Sequence, residues 1–264
     1  MRFFMQGTTE RQVPTLDSNP DEIADFLTNG LSFPSTVDKE AFVWHPGTTS
    51  GLALELRYKE ERLDEMSYNL AQADTHFPWT RYLMPWRAAM LHSTSEHPMY
   101  TLAGTVLPQE KAERVIRNLA YNTFEETGTA FIAQITKGDM AMVHLAATLE
   151  RDILNRAFIK GQHFYPYQQT LARKSPGYME LAFDVEGMPT LSAAHQIYNA
   201  FSNFFFIPQI ASSLPSVARL IVNSDRADFR CNQDPGSMGS KLGVRPRAEG
   251  ARVGSYVPSL AQKF

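Results

Sequence analysis

The sequence predicts a mainly α-helical fold, and three amphipathic stretches carry that expectation: residues 50 to 73, 108 to 127 and 139 to 160. In each, apolar residues return at three- and four-residue spacing, which gathers them on one face of a helix. With shorter candidates added, the reading is a helical core of about five to six helices with minor β content and extended arms at both ends. The boundaries are an N-terminal arm over 1–20, a core domain over 21–222 and an extended C-terminal arm over 223–264.

Residues 1 to 20 are polar, carry Pro14 and Pro20, and lack the periodicity of a core element. Asp21 to Leu27 reads as a short helix, capped by Asn19 or Ser18, opened by Pro20 and ended at Asn29-Gly30. Pro34, Pro46 and Gly47 then frame an irregular stretch in which Phe42 and Trp44 act as a loop plug. From Ser50 to Ala73, Leu52, Leu56, Leu63, Met66 and Leu70 form the apolar side of a helix, with Glu55 and Lys59 at pairing distance on the other.

His76 to Arg87 is the densest aromatic segment, with Trp79, Tyr82 and Trp86 interleaved with Arg81 and Arg87. Large aromatics are core and interface material before they are ligand binders, so the expectation is an anchored turn. Met99 to Leu107 reads as a strand that leads into the central helix. Pro108 suits the first helical position, Glu110 and Glu113 sit near the positive end of the helix dipole, and Gly128 supplies a stop. After an apolar run over 129–135 and a break at Lys137-Gly138, Asp139 caps a second helix with Met142, Leu145, Ala146, Leu149 and Ile153 inward.

Beyond Gly161, Tyr165 and Tyr167 lie in an aromatic turn, residues 178 to 185 read as a strand, and Thr190 caps a helix that runs to about Phe206. Its end, Phe204-Phe205-Phe206, covers more than one face and suits a subunit contact, as do Trp79 and Trp86. Residues 235 to 264 hold five Gly, three Pro, five Lys or Arg and one acid without apolar period, the composition of an arm that needs a partner surface.

The chain has 264 residues, is 43% hydrophobic and carries a formal charge of -3, which supports a sizeable core and argues against a wholly basic nucleic-acid surface. A single cysteine, Cys231, excludes an internal disulfide. No signal-peptide core and no long apolar run occurs, so the expected location is the cytoplasm or a viral or other particle, with no membrane contact.

The chain carries none of the common catalytic signatures. No Glu-x-x-His, no His-Glu-x-x-His, no Walker loop, no Gly-x-Ser-x-Gly elbow and no dinucleotide fingerprint is present. The nearest metal-like constellation is His92, Glu96 and His97, whose five-residue histidine spacing does not share a helical face, so no metal or other cofactor is expected. The nearest acid–base grouping is His144 with Glu125 and Glu126.

Together these point to a self-assembling structural protein without enzymatic activity, whose partner is itself. In outline the layout is that of coat or nucleocapsid subunits. Nucleic acid is the second expected partner, an RNA or other backbone held by Arg81, Arg87, Arg114, Arg117, Lys241, Arg245, Arg247 and Arg252 without base readout. The alternative is a helical enzyme or small-molecule-binding protein, its pocket lined by Trp79, Trp86, Tyr165 and Tyr167 with His92, His97 or His144 as the polar group.

Overall fold

The computed structural model describes residues 13–58, 60–79, 82–83, 86–87, 89–90, 93, 97–120, 123–134, 139–144, 163–166, 203–205, 216–223, 226–234, 236 and 242–254. The mainly helical expectation fails there. Three bounded helices, α1 (Pro20–Asp25), α2 (Leu63–Gln72) and α3 (Gln109–Ala120), accompany β-sheets of two, three and eight strands.

Helices form where local signals are strong. Asn19 caps α1 by accepting from the Asp21 amide at 2.8 Å, and Pro20 occupies its first turn. In α3, Ala112 and Val115 are buried while Lys111, Arg114 and Arg117 face out.

Elsewhere pairing between distant segments wins. Residues 50–58, expected to be helical, hold β3 (Ser50–Ala53) and β4 (Arg57–Tyr58), and only from Leu63 does the chain coil into α2. β3 lies between β2 (Phe42–Trp44) and β12 (Arg247–Glu249), so all four of its residues are buried and no two-residue alternation shows. Phe42 and Trp44, expected in a loop plug, thus belong to a strand.

The start of the expected 139–160 helix is β6 (Asp139–His144), antiparallel to the long strand β5 (Thr123–Gln134); residues 145–160 lie outside the described residues. Gly128 does not end a helix. It lies within β5, where an added Cβ would stand 2.4 Å from the Phe77 Cβ, so the close pass of these segments requires glycine. Asn203–Phe205, the expected end of a helix, is a strand, β8, and the expected helix from Thr190 to residue 202 is outside the described residues, as are residues 178–185. Between Met99 and Leu107 the chain makes a tight turn, closed by a bridge from Tyr100 to Val106 and by Gly104 at φ +82°.

The large sheet runs β4-β11-β5-β9-β10-β8, with β11 at Leu242–Val244, β9 at Ser216–Asn223 and β10 at Arg226–Gln233. β11 lies parallel to the first half of β5, β6 pairs its second half, and β7 (His163–Pro166) pairs β6. Past Pro246 the same segment forms β12 on β3, then β13 (Ala251–Arg252) on β1 (Leu31–Ser32). Residues 242–254 therefore add one strand to each of three sheets.

Alternation along the small sheet sorts two cores. Phe42, Trp44, Ala53 and Ala248 face Ile23, Phe26 and Leu27 of the α1 region. Val43, Leu52 and Leu54 face Leu83, Trp86, Met90 and the α3 residues Ala112 and Val115. On the large sheet, Val217 and Val244 pack on Leu63, Met66 and Leu70 of α2.

Candidate functional site

Two adjacent glutamates in the first half of β5 are buried, and neighbours on a strand point to opposite faces. Glu126 lies directly opposite Arg219 of β9 in the antiparallel register, and Arg219 Nη2 donates to its Oε1 at 3.3 Å. The same Nη2 donates to the Asp234 carbonyl at 3.0 Å, which ties the end of β10 to this pair.

Glu125, on the other face, is shared by two guanidiniums. Arg87 Nη1 donates to Oε2 at 3.1 Å and Arg245 Nε to Oε1 at 2.9 Å. Arg245 is 0% exposed, stacks 5.1 Å above the Trp86 ring, and donates Nη1 to the carbonyls of Ala53 and Leu54 at 2.6 and 2.7 Å. Burial pulls the Arg87 guanidinium down to about 10 while the Glu125 charge holds it up, so it stays protonated at neutral pH.

Two residues on from Arg245, at the start of β12 in the three-stranded sheet, Arg247 lies in an aromatic box. Its guanidinium carbon is 4.2 Å from the Tyr82 ring centre and 4.9 Å from that of Trp79, and Nη2 donates to Glu249 at 2.6 Å. His45 meets the same Tyr82 edge-on at 5.9 Å. Burial, and then the Arg247 charge, depress the His45 imidazole to about 3, so it is neutral. His76 at the rim is lowered by burial first and Arg247 second.

The predicted basic residues thus divide. Arg87, Arg245 and Arg247 are buried with internal acceptors, whereas Arg114, Arg117 and Arg252 are exposed, Arg114 pairing with Glu55 at 2.7 Å. Arg81 and Lys241 lie outside the described residues. Trp86 is fully buried, donating Nε1 to the Val43 carbonyl at 3.3 Å, and Trp79 is half-buried. Phe204 and Phe205 lie on β8, with Phe206 beyond the described residues.

His97 is exposed, and His92 and Glu96 lie outside the described residues, among which no group of three His, Cys, Asp or Glu side chains is placed to hold a metal ion. His144 is paired with Thr129 in the β5–β6 hairpin. Tyr165 is in β7 and Tyr167 lies outside the described residues.

The residues that sequence reading missed are Glu125 and Glu126 as a structural centre, His45, and Tyr82 as a partner of Arg247. Their signal was faint: acid pairs in an apolar, β-forming stretch require buried cations somewhere, but nothing local says which. An open cleft of about 560 Å³ beside β1, lined by Thr28, Asn29, Ser32, Phe33, Ser35 and Lys39, gathers no comparable set of ionisable groups. Among the described residues no helix is long and apolar enough to cross a membrane. The chain matches no family model, no curated protein and no solved structure.

Proposed function

We propose that this chain is a self-assembling structural subunit of the coat or nucleocapsid kind. The observation that supports this reading most directly is how residues 242–254 are held. They contribute β11, β12 and β13 to three separate sheets and seat Arg245 between Glu125 and the carbonyls of Ala53 and Leu54. All these contacts are made to surfaces that the rest of the chain presents. The same segment from a neighbouring copy fits the same places with the same bonds, which is the basis of segment exchange between identical subunits.

The ionisable groups at the centre have the character of a frame. Both oxygens of Glu125 accept from guanidiniums, and Arg245 is held by two backbone carbonyls. Contact with a nucleic-acid backbone, in this reading, falls among the described residues to Arg114, Arg117 and Arg252, the predicted cations exposed there.

The test is the mass of the purified full chain by light scattering, with the nucleic-acid-to-protein absorbance ratio read across the same peak. A multimeric species is expected. A species that stays at the 29.8 kDa monomer mass over a wide concentration range overturns the assembly reading, and a protein-only ratio in a large particle removes nucleic acid from it.

A further inference from the structure

The aromatic box around Arg247 contains more hydrogen-bonding nitrogens than the described residues satisfy. Arg247 is 3% exposed, yet its Nε and Nη1 have no acceptor among the described residues, and His45, 6% exposed, leaves Nδ1 unpartnered among them. Buried donors without acceptors each cost about 1–3 kcal/mol, more when charged, so their accumulation in one place needs a reason.

Their placement is set by register. Arg247 pairs with Leu52 and Leu52 with Val43, so Arg247 shares a sheet face with Val43, and with Glu249 two residues on. His45 bonds Ser50 in the same hairpin and therefore lies two residues from Val43 on that face. Tyr82 touches both: the Arg247 guanidinium lies over its ring and the His45 imidazole meets it edge-on.

Trp79 and Tyr82 cover guanidinium faces, which leaves the edge N–H groups, in the plane, as the direction from which an acceptor arrives. Charge is in excess as well. Arg87 and Arg245 share the single carboxylate of Glu125, and Glu249, which holds Arg247, is 47% exposed at the rim. Among the described residues, Asp74 and half-buried His76 are further titratable groups at that edge.

We propose that this box is an oxyanion site that takes a phosphate group, with Arg247 as the principal ligand and His45 donating through Nδ1–H. A phosphate has enough acceptor oxygens to answer donors on separate side chains, and Arg is suited to it through its fixed fork of N–H groups. Glu249 is then an internal competitor: its carboxylate holds Nη2 of Arg247 and yields it to the incoming anion.

The experiment titrates inorganic phosphate into the full-length protein at constant ionic strength, with chloride as the balancing salt and acetate as a second arm. Thermal midpoint and calorimetric heat are read on wild type, Glu249→Gln and Arg247→Lys. Phosphate is expected to raise the wild-type midpoint above the chloride control. Glu249→Gln, at a half-exposed position, is expected to bind phosphate several-fold more tightly, and Arg247→Lys at least tenfold more weakly. A wild-type response no larger than that to chloride overturns the proposal. So does equal affinity in wild type and Glu249→Gln, which moves binding elsewhere, and so does an acetate response equal to that of phosphate. Because Glu249→Gln leaves the buried frame in place, its result stands even if Arg247→Lys fails to fold.

Discussion

Arg245 reaches Glu125 across 120 residues of chain, its Nε 2.9 Å from the carboxylate Oε1 with both groups out of solvent. This bond joins the C-terminal segment to the centre of the large sheet. Removing one member of a buried pair leaves an uncompensated charge, at a cost of about 3–5 kcal/mol. Arg245→Met and Glu125→Gln are each expected to fall in that range by urea denaturation. The double variant should cost clearly less than the sum, because neither then strands the other. Additive losses would show that the two side chains are not coupled.

Ending the chain after residue 241 removes β11, β12, β13 and Arg245 together. β11 lies between β4 and β5 in the large sheet, while β12 edges the three-stranded sheet and β13 is the partner of β1, so the truncation separates β4 from β5 and leaves β1 unpaired. The truncated chain should lack a cooperative thermal transition. A sharp transition near the wild-type midpoint would mean that the segment is dispensable to the fold.

Gly128→Ala places a methyl 2.4 Å from the Phe77 Cβ, and neither strand nor loop backbone yields without moving the sheet. Overpacking of this kind costs about 1–3 kcal/mol, to be read as a lower urea midpoint with unchanged slope. No loss at all would show that residues 77–79 do not pass β5 so closely.

Acid should weaken the fold through His45. Its folded pKa is about 3 against an ordinary 6.5, through burial first and the Arg247 charge second. At pH 7 the group is neutral in both states and the stability is fully present. As pH falls below 6.5 the unfolded chain takes up a proton that the folded chain refuses, so stability declines down to about pH 3. Between pH 7 and 5 the loss from this residue is about 2 kcal/mol. His76 titrates in the same direction, so the measurement is the difference between wild type and His45→Gln, which should be less pH-sensitive by that amount. Equal slopes would show that His45 is protonated inside the fold.

The exposed pair offers the opposite case. Arg114 and Glu55 are 57% and 62% exposed, and a surface ion pair gains little over solvation. Arg114→Ala should change stability by no more than about 0.5 kcal/mol. If assembly carries nucleic acid on this surface, the same variant together with Arg117→Ala should lower the nucleic-acid content of the particle without altering the melting of the subunit.

Sequence by itself determined what local chemistry decides. Asn19 and Pro20 start α1, and the apolar stripe of α3 is visible because a helix satisfies its backbone within a few residues. What only tertiary structure decided was where the strands lie and which charges meet. β3 reads as a helix segment because partners on both sides bury it uniformly, and Asp139–His144 reads so because a short apolar run is ambiguous until its hairpin partner is known. Glu125 selects Arg87 and Arg245 from residues 38 and 120 positions away. A strand's hydrogen bonds and a buried carboxylate's counter-charge both come from elsewhere in the chain, so no window of sequence contains them.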